Sequence, residues 1–277
     1  MPHLASAGPS WLGIGTQRSG TTWLTNLLLE HPSVGLGLSG SKEQHYFYRD
    51  VLPGYTPWTP ESSSRPARIA RSTVGHLRGL LHSTTEGQRV CPEARQEHYL
   101  QEFPTDKIRR GEWTPDYMPC IWAASRIRHL FSEDIPLFVV LRDPVERYAS
   151  AMRLESSRST LPSPVLAELY AGGYAVWGGM YLEQLDTWAS IVGRQRLVVA
   201  QYETVRQAPQ AWADHAWKTM GLDSIELRNV EKPSVTSRSS GWTWPDGLRE
   251  VLIQHYQSQR AGLEKRWGID TALWQNE

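Results

Sequence analysis

Three stretches of the chain combine residue types that hold anions or move protons. The first is Gly15-Thr-Gln-Arg-Ser-Gly20-Thr21-Thr22-Trp23. Its glycines permit a tight turn, successive backbone N–H groups can converge on an anion, and a following helix N-terminus adds a favourable field. The Gly15-x4-Gly20 spacing has the Walker A frame, but Thr21 stands where the lysine of that motif reaches the β and γ phosphates. Arg18 supplies a cation on the other side of Gly20. The stretch points to a phosphorylated ligand and away from ATP or GTP chemistry.

The second stretch is Leu141-Arg142-Asp143-Pro144-Val-Glu-Arg147-Tyr-Ala-Ser150. An arginine at a strand end can make a charge-assisted fork to a phosphate. Ser150, two helical turns further on, can donate to the same group. Alone, the pair reads equally well as an arginine serving Asp143 and an incidental helical serine. The third stretch, Lys42-Glu43-Gln44-His45-Tyr46-Phe47, offers a carboxylate and an imidazole for proton transfer. Lys42 can hold that carboxylate or simply face solvent. Near the C-terminus, Lys232-Pro-Ser-Val-Thr-Ser-Arg238-Ser-Ser-Gly241 is basic and rich in hydroxyls, and Lys232 and Arg238 are further phosphate candidates.

These residues need rigid elements behind them. Trp11 to Ile14 reads as a short buried strand entering the glycine turn. A helix follows, with Trp23, Leu24, Leu27 and Leu28 on one face and Pro32 preventing its continuation. Ile135 to Leu141 is a continuous apolar run, as in a central parallel strand, and Asp143-Pro144 provides an N-cap and a first-turn proline. Apolar residues at helical spacing between Val176 and Val192, Trp177 among them, predict one helix closed by Gly193. Leu197 to Ala200 predicts another strand that ends through Gln201-Tyr202-Glu203, and helices are expected at 205–220 and 246–267. The alternation predicts an α/β fold, a central parallel sheet flanked by helices with a phosphate-loop core. No linker divides residues 1–277, so a single domain is expected. The proline-interrupted segment 56–95, with Arg65, Arg68, Arg71 and Arg78, is expected to be an irregular insertion, either a solvated basic face or an acceptor-side lid.

Composition narrows the field. Twenty-nine basic and 29 acidic residues cancel, so no global field draws nucleic acid or an anionic membrane. The N-terminus lacks the pattern of a secretory signal, and no apolar run approaches the ~20 residues of a membrane span. The nine histidines lack ligand spacing and the two cysteines suggest neither a disulfide framework nor a metal knuckle. A cytoplasmic protein with no bound metal is expected.

Thr16-Gln-Arg-Ser-Gly-Thr-Thr-Trp-Leu24 resembles the 5'-phosphosulfate loop of the sulfotransferases that use 3'-phosphoadenosine 5'-phosphosulfate (PAPS), and Arg142 with Ser150 resembles that family's 3'-phosphate motif. Gly111-Glu-Trp-Thr-Pro-Asp-Tyr117 resembles the GEKTPxY segment, and Lys42 to Phe47 the KExHFF segment, of the heparan-sulfate-type and related bacterial branch. Tyr181, Gln184, Leu185 and Trp188 also fit, so the likeness runs along nearly the whole chain.

The resemblance implies PAPS as co-substrate, adenosine 3',5'-bisphosphate as product and no metal. It implies cofactor contacts from Arg18, Ser19, Gly20, Thr21, Thr22, Trp23, Arg142, Ser150 and Tyr202, the last against the adenine. It puts the general base on Glu43. His45 is the rival, because cytosolic relatives use a histidine, although from another segment. Arg18 would stabilise charge at the leaving oxygen, and Lys42 would support Glu43 or approach the sulfonate. The acceptor would be the hydroxyl of a small molecule, a natural product or a glycan, and Tyr46, Phe47, Tyr55, Trp58, Trp113 and Tyr117 suggest a ring-bearing one. Trp113 departs from the branch's lysine and is expected to stack on such a ring or mark a less acidic acceptor. The competing readings are a P-loop kinase or NTPase and a non-catalytic nucleotide-binding protein.

Overall fold

The computed structural model describes residues 8–48, 93–106, 108–131, 135–171, 174–230 and 241–274. The elements run β1 (Trp11–Gly15), α1 (Thr21–Leu29), β2 (Val34–Leu36), α2 (Glu93–Gln101), β3 (Arg109–Trp113), α3 (Ile121–Leu130), β4 (Leu137–Leu141), α4 (Pro144–Ser156), α5 (Ser163–Ala171), α6 (Tyr174–Trp177), α7 (Tyr181–Val192), β5 (Leu197–Gln201), α8 (Tyr202–Gln207), α9 (Pro209–Thr219) and α10 (Leu248–Trp267). Single 3-10 turns follow β3, α7 and α10. The five strands form one parallel sheet in the order β2-β3-β1-β4-β5.

Every residue of β1 and β4 is buried, which is why both read as unbroken apolar runs instead of alternating ones. The pleat sends Leu12, Ile14, Leu137, Val139 and Leu141 into a core with α3, α7 and α10. Trp11, Phe138 and Val140 enter a second core with α1 and α9. Each face of the sheet is thus sealed by helices, and β1 and β4 are held rigidly enough to aim the loops that leave them.

Four expected boundaries shift for identifiable reasons. The helix expected over 176–192 is two, α6 and α7, separated by Gly178, Gly179 and Met180, and Trp177 at the break is exposed. A Cβ at Gly179 would lie 2.8 Å from the Tyr256 ring, so the backbone passes α10 too closely for a side chain. The helix expected over 205–220 is also divided, because Pro209 restricts Ala208 and opens α9. Tyr202 opens α8 and does not end a strand. β4 begins at Leu137, as Pro136 has no N–H to donate to the ladder. Of the segment 56–95, residues up to 92 lie outside the described residues, and Glu93 opens α2. Among the described residues, no helix is long and apolar enough to cross a membrane.

Candidate active site

Adjacent strands bring the first two stretches together. β1 and β4 are hydrogen-bonded neighbours, so the loops at their carboxyl ends lie side by side, where open parallel sheets bind ligands. Beyond β1 the ladder continues for one residue, with the Thr16 N–H donating to Val140 O at 3.0 Å. The Thr16 hydroxyl donates to the same oxygen at 2.9 Å, so the Ser19 hydroxyl, 2.5 Å away, must be its donor. Ser19 is fully buried and its N–H bonds Thr16 O. Both of its donors are used to fold the loop.

Two residues of the turn have left-handed backbone, Arg18 at φ 68° and Gly20 at φ 85°. Gly20 has a second reason to lack a side chain, since a Cβ there would lie 2.7 Å from the Tyr202 ring. α1 then begins with no side-chain cap and no acidic residue in its first turn. Its leading N–H groups and partial positive charge are left for a ligand. Thr21 is buried behind the turn and Thr22 is exposed.

Arg18 Nε donates to Ser150 Oγ at 3.2 Å, which joins the first stretch to the second. Arg142 Nη1 reaches back to Arg18 O at 3.4 Å, and its guanidinium lies 5.2 Å from the centre of the Tyr202 ring. Arg206 flanks the same ring at 5.8 Å. The Tyr181 hydroxyl anchors Arg142 by donating to its carbonyl at 2.8 Å. Burial, then the like charges of Arg142, Arg158 and Arg147, push Arg18 below its ordinary value, with Glu155 opposing. Trp23 meets Tyr202 edge to face at 6.2 Å, and its buried indole N–H has no partner among the described residues. Asp143 caps α4 as expected, accepting from Val145 and Glu146 at 2.8 and 3.4 Å.

The third stretch is delivered to the same place. Lys42 Nζ lies 2.6 Å from Glu43 Oε1 and donates to Thr21 Oγ1 at 3.3 Å. His45, at φ 56°, places Nε2 3.4 Å from Glu43 Oε2 and shares a 2.7 Å hydrogen bond between Nδ1 and the Tyr48 hydroxyl. Tyr48 also donates to Asp116 at 3.3 Å. Glu43 is about one-third exposed, so a proton it accepts can leave to solvent.

Glu112, at the end of β3, is fully buried and was not among the residues singled out from the sequence. Its Oε2 accepts from the Gln44 N–H at 2.8 Å and the Thr114 hydroxyl at 2.6 Å, and its Oε1 from Tyr99 at 2.9 Å and Tyr117 at 2.7 Å. Burial pushes this carboxyl above the ordinary value, and those hydrogen bonds oppose the rise. The one signal for it in the sequence is its place in the Gly111–Tyr117 segment, beside the unusual Trp113.

Trp113 corrects an expectation. It is fully buried, and a Cβ at Gly13 would fall 2.1 Å from its ring. Its indole donates to Gly15 O at 3.1 Å and its ring packs on Phe138. The side chain supports the backbone of the turn after β1 from below and cannot stack on an acceptor. Phe47 and Tyr117 are equally buried, and Tyr46 stacks on Tyr99 at 4.2 Å. Phe47 and Tyr117 are core and Tyr46 packs half-buried against it, so these aromatics carry no argument for a ring-bearing acceptor. Tyr55, Trp58, Lys232 and Arg238 lie outside the described residues.

A family model described as the sulfotransferase family matches residues 11–226. The crystal structure of a sulfotransferase from Alicyclobacillus acidocaldarius superposes with a TM-score of 0.69 at 19% identity, covering 98% of this chain and 100% of the other. The sulfotransferase domain of the Synechococcus PCC 7002 olefin synthase superposes with a TM-score of 0.51 at 18% identity, covering 97% and 98%. At such identities the likeness is one of fold. No curated protein matches the chain.

Proposed function

The chain belongs to the sulfotransferase family, and from that premise we propose that it transfers a sulfuryl group from PAPS to the hydroxyl of a small-molecule, natural-product or glycan acceptor. The observation that carries the proposal is the position of Lys42, whose ammonium touches both Glu43 and Thr21. It ties a carboxylate able to accept a proton to the loop able to hold the phosphosulfate.

The donor set fits a doubly phosphorylated nucleotide. The uncapped start of α1 and Arg18 suit the 5'-phosphosulfate, while Arg142 and Ser150 suit the 3'-phosphate. Trp23 and Tyr202 offer an apolar seat for the base between the two, with the buried Trp23 N–H unsatisfied among the described residues. In the reaction the acceptor oxygen forms a bond to sulfur as the bond from sulfur to the phosphate oxygen breaks. The electron pair stays with adenosine 3',5'-bisphosphate, and the acceptor proton passes to Glu43. Arg18 and the loop N–H groups stabilise the leaving oxygen. Glu43 contributes as general base, an effect of about 10²–10⁴ in rate. Lys42 keeps Glu43 oriented and faces the transferring group. His45 Nε2 lies 3.4 Å from Glu43 Oε2 and pairs with it when the imidazole is protonated, which suits an orienting role better than that of a rival base.

The test has two parts. Adenosine 3',5'-bisphosphate at saturation should raise the Tm, since it binds the folded state alone; an unchanged melting curve would sink the donor assignment. Glu43→Gln should abolish most transfer from sulfur-labelled PAPS into an extract of the source cell while binding the bisphosphate as the parent does. Near-normal transfer by that variant would remove Glu43 from the base role.

A further inference from the structure

Three consecutive backbone N–H groups behind the proposed base are caught by one buried network. Gln44 N–H donates to Glu112 Oε2 at 2.8 Å, His45 N–H to Thr114 Oγ1 at 3.3 Å, and Tyr46 N–H to the Tyr117 hydroxyl at 2.9 Å. The Thr114 and Tyr117 hydroxyls each pass their own proton to Glu112. A fourth bond runs the other way, from Trp113 N–H to Lys42 O at 2.7 Å. Side chains thus replace the strand partner that residues 42–46 lack, and all three N–H groups depend on a single carboxylate.

We propose that Glu112 is a positioning residue for the transfer reaction: through Thr114 and Tyr117 it fixes the backbone of residues 44–46, and so the placement of Glu43 against the phosphate loop. This rests on the reading of Glu43 as base. A carboxylate is the right group because every partner arrives as a donor, and an ionised carboxylate has only acceptors. A glutamine presents an NH2 to one pair of those donors. The N–H of Gln44 cannot turn, so the NH2 must face the tyrosine hydroxyls. Tyr117 already accepts from Tyr46, so its proton would lose its partner. Charge is also well placed here, since hydrogen bonds to an ionised acceptor are roughly twice as strong as neutral ones. Tyr99 bonds Glu112 as well but touches none of the three N–H groups through its hydroxyl, which makes it the control.

The experiment compares Glu112→Gln, Thr114→Val, Tyr117→Phe and Tyr99→Phe in the full chain. The first readout needs no substrate: hydrogen–deuterium exchange at the Gln44, His45 and Tyr46 amides. We expect it to quicken by about tenfold or more in the first three variants, as befits the loss of a buried hydrogen bond, and not in Tyr99→Phe. The second is the rate of label transfer from PAPS at saturating donor, with bisphosphate affinity measured by calorimetry. The rate should fall at least about tenfold in the first three with affinity within about twofold, and hold within about twofold in Tyr99→Phe although its Tm drops. If Glu112→Gln fails to fold, Thr114→Val and Tyr117→Phe carry the comparison. Activity that follows Tm across all four variants, or unchanged exchange and activity in the first three, would overturn the proposal. Failure of the base reading appears separately, as an active Glu43→Gln whose parent still shows the exchange pattern.

Discussion

Arg142 shows how one side chain can serve structure and ligand together. Its guanidinium touches Arg18 O, faces the Tyr202 ring and lies 3.7 Å from Glu146, which is itself half exposed. A distant, wet carboxylate is a poor partner, so an entering phosphate displaces little. Arg142→Ala should weaken bisphosphate binding by about 1.5–3 kcal/mol, on the order of tenfold to one hundredfold. Calorimetry on parent and variant checks this, and equal affinities would place the 3'-phosphate elsewhere. At this scale the candidate residues were legible, because Arg18, Lys42, Glu43, Arg142 and Ser150 stand in local patterns. Their contacts were not, since Arg18 and Ser150 are separated by 132 positions.

Among the elements, β1 and β3 exchange side chains in a reciprocal way. Trp11 is paired in register with Gly111, and Gly13 with Trp113. Each indole lies over the glycine opposite, and neither glycine has room for a Cβ. Because Trp113 also holds Gly15 O, shortening it removes both a large buried surface and a support of the phosphate loop. Trp113→Ala should cost about 3–5 kcal/mol of stability, measured by denaturant unfolding. A loss within the range of surface substitutions would contradict the packing described. Sequence reasoning placed an acceptor contact here because it read position 113 as a departure from a motif. The glycine at position 13, one hundred residues away in the strand alongside, is what makes the tryptophan a core residue.

Across the whole molecule, Glu203 joins distant parts of the chain. Its Oε1 accepts from the Asp143 N–H at 3.0 Å and its Oε2 from Trp274 Nε1 at 3.2 Å, tying the start of α4 and the C-terminal turn to α8. Burial pushes this carboxyl above its ordinary 4.5, against the pull of those hydrogen bonds. The unfolded chain therefore gives up this proton first as pH rises. Stability drawn from the protonated group is fully present below the ordinary value and is lost as pH climbs through the folded one. Glu203→Gln removes that dependence. Its Tm relative to the parent should improve as pH rises above the ordinary value until the folded carboxyl has ionised, and a difference constant with pH would show that the folded carboxyl is not shifted.

The sequence by itself determined the kind of molecule: buried strands leading into a glycine turn suited to an anion, an arginine and a serine eight residues apart, and a lysine and glutamate of the types that can do proton chemistry. Those are local properties, written in residue types and in spacings of less than a dozen positions. Tertiary structure alone decided that β1 and β4 are neighbours, which brings the two proposed phosphate-binding stretches side by side, and that Glu112 holds the segment bearing Glu43. Strand order and the convergence of buried donors depend on contacts between residues far apart in the chain, and a sequence pattern has no term for distance in space.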